Sequence, residues 1–263
     1  MEYSGRIRLT TIATVVGLIV SIIAWIATNP LSPDSPLGMP GWPPAVGRQA
    51  LMTLWCLAVF LPIMYLFYLM YVRHNEWLVP RGEIYDPQKV YRVWTTRRVV
   101  EAAVASGFYL AMSMIKIPIF QELDMMYIAG MFTVAFWGAP VAFVMSIVGS
   151  TLRCIAGGFP TYFDIITCAL GDGAYWVSAA FLWRRFVEEA KGTKRLAGMV
   201  GIIAFIEAAF WVVWFVIVSS IAWSWDTYVP FVVGGTISYA PVILIGCIIG
   251  LIAAEAAIRA SKR

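Results

Sequence analysis

An all-α polytopic membrane protein of eight transmembrane helices is what this sequence predicts, and three observations predict it. The chain has 263 residues, of which 61% are hydrophobic and only 13% charged, with a mean hydropathy of +0.79. A water-facing surface cannot be made from that composition. Apolar runs of a length suited to crossing roughly 30 Å of hydrocarbon recur along the whole chain. The alternating strands of an outer-membrane barrel are absent, and in lipid only helices or closed barrels satisfy the backbone.

The spans read at 9–28, 50–72, 98–117, 123–137, 140–156, 164–183, 197–222 and 231–257, two of them short. Charge placement sets their direction, since short loops rich in Lys and Arg stay on the cytoplasmic side. With the N-terminus inside, all of the 19 basic residues except Arg48, Lys116 and Arg153 fall in inner segments. The expected location is therefore the cell membrane, multi-pass, with both termini cytoplasmic. The net charge of +4 is explained by this asymmetry and gives no reason to invoke nucleic acid.

The chain divides at its longest inner loop. Residues 1–96 read as a two-helix N-terminal membrane anchor with a cytoplasmic loop, and residues 97–263 as a six-helix bundle. The first span follows Arg6 and Arg8, but its apolar run is too long for a cleaved signal peptide, so a retained anchor is expected. Six prolines make 29–48 an outer, non-helical loop, and Pro62 predicts a kink in the second span.

The third span opens on Arg97-Arg98 and carries Ala103, Gly107 and Ala111 at four-residue spacing. In lipid the hydrophobic effect does not pull helices together, so a strip of small residues is how two backbones approach closely. It predicts an interface, within the fold or with another subunit. A polar break, Lys116 to Asp124, leads to the fourth span. The fourth and fifth spans are joined by Trp137-Gly138-Ala139-Pro140, with Pro140 suited to a first helical turn. Gly157-Gly158 and Pro160 mark an outer loop before the sixth.

Ionisable groups inside membrane spans are costly and mark candidate sites. Lys116 and Arg153 lie near outer helix ends, where snorkelling to the interface is an equal explanation. Asp172 lies eight residues past Asp164, about 12 Å below the outer start of its helix. Glu207 is ten residues into its span. Helical spacing puts Asp164, Cys168, Asp172 and Tyr175/Trp176 on one face, and Glu207, Trp211 and Trp214 on another. A carboxylate with aromatics one turn away can hydrogen-bond and stack on a flat heterocycle, and an interfacial aromatic belt is the plainer alternative. Asp124 closes the set of candidate ligand-binding residues.

Catalytic patterns are missing: there is no nucleophile elbow and no phosphate-binding glycine loop. The single His74 cannot build a metal site, and Cys56, Cys154, Cys168 and Cys247 read as small core residues. Neither enzymatic activity nor a cofactor or metal is expected.

Residues 97–258 resemble the substrate-binding S components of energy-coupling factor (ECF) vitamin transporters. The resemblance is carried by Arg97-Arg98 with the Ala103/Gly107/Ala111 strip, the break into Leu123-Asp124, and the run from Ala129-Gly130 through Gly138–Ala142 and Ile147–Arg153 to Gly157-Gly158. It implies a membrane transport subunit that captures a small vitamin-like molecule from outside. Ala103, Gly107 and Ala111 would dock a transmembrane coupling subunit, itself driven by cytoplasmic ATPases. The ligand would bind in the outer halves of core helices four to six, under the 117–123 and 157–163 loops. The two N-terminal helices depart from that pattern, and a non-transporting accessory or scaffold subunit of a larger membrane complex is the competing reading.

Overall fold

The computed structural model describes residues 12, 16, 86, 88, 94–117, 123–157, 162–221 and 225–261. The expected spans at 9–28 and 50–72, and with them nearly all of the expected anchor 1–96, thus lie outside the described residues.

The described chain is nearly all helix. Helix α1 (Thr96–Met114) starts on Thr95, whose hydroxyl accepts from the Arg98 N–H. Two-residue strands β1 (Lys116–Ile117) and β2 (Leu123–Asp124) then pair antiparallel, with Lys116 opposite Asp124. This ladder takes two residues from the expected fourth span, so α2 (Met126–Phe136) has only 11. Gly138 at φ 83° turns the chain, a conformation costly for any side chain. Pro140 then sits in the first turn of α3 (Ala139–Val144), as its fixed φ favours.

A wide π-helical turn, Met145–Gly149, joins α3 to α4 (Ser150–Ala156) without breaking the rod. Helix α5 (Tyr162–Trp183) runs into a second wide turn, Arg184–Glu188. Helices α6 (Gly192–Ile221) and α7 (Trp225–Ser261) complete the order, the latter holding Pro230 and Pro241. Among the described residues, two segments are long and apolar enough to cross a membrane, Ala139–Ala156 and Val232–Ser261, and α2 is a shorter apolar helix.

Small residues decide the packing. Gly246 and Gly250 on α7 are one turn apart and face α2; a Cβ on Gly250 would lie 2.4 Å from the Ile128 carbonyl oxygen, and one on Gly246 would lie 2.8 Å from Tyr127 Cβ. The two backbones touch there, as a glycine pair at four-residue spacing permits. Helix α5 lies against α3, α4 and α6, and α1 against α2 and α3. One core results, with Tyr109, Tyr127, Met131, Met145, Tyr175 and Trp176 among its fully buried members. At the far end from the ladder, Arg195 of α6 and Glu255 of α7 form an ion pair.

Candidate functional site

Four positions on three helices meet around one carboxylate. Asp172 on α5 is buried, and its Oδ1 accepts from the Tyr175 hydroxyl one turn along, at 2.7 Å. Its Oδ2 accepts from Tyr109 of α1 at 2.8 Å and from the Ser150 hydroxyl of α4. Arg153 Nη1, one turn beyond Ser150, lies 3.7 Å from the same oxygen. Met126 at the start of α2 closes the cluster, its Sδ 3.0 Å from the Tyr109 hydroxyl and touched by Arg153 Nη1.

Local sequence explains why these groups converge. Tyr109 sits on the buried face of α1 with Ala102, Ala105 and Ser106, small residues that let α1 approach its neighbours. Its ring lies across Gly149, where a Cβ would fall 2.9 Å from Tyr109 Cδ1. Gly149 ends the wide turn, and Ser150 follows immediately. Such turns shift the phase of the residues after them, here placing Ser150 and Arg153 toward α5. Ser146, in the same turn, bonds back to the Ala142 carbonyl and so needs no outside partner.

The electrostatics are those of a buried pair held by hydroxyls. The Arg153 side chain is 19% exposed and that of Asp172 only 6%, so the cluster opens along the arginine. Removing two charges from solvent is repaid only when further hydrogen bonds complete the set, and three hydroxyls do this for the carboxylate. The arrangement can orient a hydrogen-bonding molecule through a guanidinium at its rim.

The other predicted residues fall elsewhere. Trp176 is fully buried; its six-membered ring fills the space beside Gly130, and its ring centroid lies 6.1 Å from that of Tyr127 and 5.0 Å from that of Tyr175. That ring surface is used by the core. Glu207 is half-buried on α6 and accepts from the indole N–H of Trp211 at 3.0 Å, on its own helix. Among the described residues, Glu207 and Asp172 share no partner. Lys116 and Asp124 are register partners in the ladder, and Asp164 lies in the first turn of α5; the side chains of all three, like that of Trp214, lie outside the described residues.

Ala103, Gly107 and Ala111 are all exposed, and nothing lies within 4 Å of a Cβ placed on Gly107. Cys154, Cys168 and Cys247 are buried thiols in the core, and Cys56 lies outside the described residues. Among the described residues, no three His, Cys, Asp or Glu side chains converge as metal ligands.

Tyr109, Ser150 and Met126 are the members that sequence reasoning missed. A signal for Tyr109 existed: a phenol among alanines and a serine in an apolar helix needs a buried acceptor. Ser150 carried none, because its role depends on the phase of the wide turn.

Comparison with known proteins finds no matching family model, no matching curated protein and no matching solved structure. The resemblance to S components therefore rests on the residues quoted for it.

Proposed function

We propose that this chain is the ligand-binding subunit of a membrane transporter, taking a small vitamin-like or heterocyclic molecule from the outer side. In this reading eight helices cross the bilayer, both termini are cytoplasmic, and the ladder end of the bundle faces outward. The hand-over inward is driven by a coupling subunit with ATPases, so this chain carries out no catalysis itself. The observation that supports the reading is the Asp172–Arg153 pair with its hydroxyls, set in a largely apolar interior and reached along the more exposed arginine. Charges at that depth are expensive in a bilayer, and binding is the common reason for keeping them.

The test is native mass spectrometry of the purified chain, followed by calorimetry of the released molecule against Asp172→Asn. A bound small molecule whose affinity falls in the variant supports the reading. No bound molecule, together with a variant that changes only the melting temperature, sinks it.

One observation favours the second reading, an accessory or scaffold subunit. Three hydroxyls already occupy acceptor positions of Asp172, so the cluster ties α1, α4 and α5 together whether or not a ligand is present.

A further inference from the structure

Helix α4 ends at Ala156 and α5 begins at Tyr162, and the contacts between them run in antiparallel order. A Cβ on Gly173 would lie 3.7 Å from Ile147 Cγ1, and nearer the connection the Ser150 hydroxyl reaches Asp172. One further turn along each helix, this order brings Cys154 of α4 opposite Cys168 of α5. Both cysteines are buried, and a hydrogen bond joins their thiols. Ser150, Ala169 and Gly173 are small and sheltered, so the seam is narrow. Two sulfurs can bond only across such a seam, since their Cα atoms must come within about 7 Å.

A facing pair of thiols suits a disulfide or a soft metal ion, and the surroundings choose between them. A metal ion takes both sulfurs as thiolates, and anions are costly in an apolar interior. Among the described residues, no three His, Cys, Asp or Glu side chains converge to share such an ion. A disulfide carries no charge and is compatible with full burial. The pair also lies at the ladder end of the bundle, because the neighbouring Arg153 touches Met126, which follows β2 closely. In the membrane placement given above that end faces outward, toward a compartment in which disulfides form and persist.

We propose that Cys154 and Cys168 are a disulfide-forming pair, joined as α4 and α5 come together and then enclosed by the core. The inference rests on the outward placement of the ladder end and is independent of ligand binding. One thiolate attacks the disulfide of an external oxidant, giving a mixed disulfide, and the other thiolate then displaces the oxidant's remaining sulfur. One S–S bond forms in the chain and one breaks in the oxidant, which takes up the two electrons and the two protons and leaves as thiols. The bond fixes α4 against α5 one residue from Arg153, and so holds that guanidinium beside Asp172.

The experiment takes the full chain in its native membranes, dissolves it in denaturant with N-ethylmaleimide to block every thiol at once, and maps the peptides by mass spectrometry without reduction. Most chains are expected to give a peptide pair bridged between Cys154 and Cys168, two hydrogens lighter than its parts, with maleimide on Cys247. In detergent, dithiothreitol is expected to lower the melting temperature of the native chain and to leave that of Cys154→Ala unchanged. Maleimide on both Cys154 and Cys168 in the membrane sample overturns the proposal, whether or not the variant folds. A bridge from either one to Cys56 or Cys247 overturns the pairing. A melting temperature unmoved once the map shows the bond reduced overturns its role in fixing α4. Ligand binding moves none of these readouts, so a chain that carries the bridge and binds no small molecule sinks the transport reading and leaves this one standing.

Discussion

The indole of Trp176 fills the space in which a side chain on Gly130 would begin: a Cβ at residue 130 would fall 2.1 Å from Trp176 Cζ2 and 2.4 Å from its Cη2. Both residues are fully sheltered, one on α2 and one on α5, and the ring is wedged between Tyr127 and Tyr175. Gly130 therefore serves close packing and needs no unusual backbone angle.

Gly130→Ala is expected to destabilise the protein by about 2 kcal/mol, because a rigid fused ring cannot yield as a flexible chain end would. The check is the melting temperature in detergent. The indole N–H of Trp176 has no partner among the described residues, so Trp176→Phe removes ring volume without breaking a hydrogen bond. Combined with Gly130→Ala it should cost less than the two single changes added together. Strict additivity would mean the two residues do not share this space.

Asp172→Ala should cost about 3 kcal/mol, since it leaves Tyr109, Ser150, Tyr175 and Arg153 facing a missing acceptor. Asp172→Asn keeps the volume and one oxygen, and Ser150→Ala removes one donor; each is expected to cost about 1 kcal/mol. Melting curves of the three variants, measured without ligand, test this order. If Asp172→Ala melts with the native chain, the carboxylate is not the tie between α1, α4 and α5.

How much of this was legible beforehand depends on the range of the interaction. The shared helix face of Asp172 and Tyr175 follows from helical periodicity alone, and a hydrogen bond joins the two. Tyr109 is 63 residues from Asp172, and its contact depends on how α1 docks, which periodicity does not encode. Ser150 depends on a wide turn that shifts its phase. The small-residue strips make the same point. Ala103/Gly107/Ala111 and Gly246/Gly250 carry equal signals for close approach, yet only the second is filled within the described fold. Spacing states that a helix can be approached and leaves the approaching partner open. Trp176 shows the converse, because an aromatic one turn from a carboxylate suits a stacking surface and a core wedge equally well.

The α2–α7 crossing supplies a paired comparison on one helix. Gly250→Ala would press a methyl group to 2.4 Å from the Ile128 carbonyl oxygen, backbone that cannot move without separating the helices. Gly234, also on α7, is exposed, with nothing within 4 Å of its Cβ position. Gly250→Ala is expected to lower the melting temperature sharply or prevent recovery of folded protein. Gly234→Ala should be neutral or stabilise by up to about 1 kcal/mol through helix propensity. Equal behaviour of the two would show that the crossing is looser than its geometry states.

Gly107→Leu separates docking from folding. Position 107 is exposed and nothing lies within 4 Å of its Cβ position, so leucine clashes with no described residue and gains helix propensity. The variant should therefore melt at or slightly above the native temperature. If the Ala103/Gly107/Ala111 face receives a helix of a coupling subunit, a leucine at its centre holds the two backbones apart, where close approach is the source of the attraction. Co-purification of that subunit from native membranes should then be lost while binding of the small molecule persists. Unchanged co-purification assigns the face to lipid, and a drop in melting temperature of the isolated chain would place it inside the fold. The docking strip predicted for a transporter subunit survives only the first of these three results.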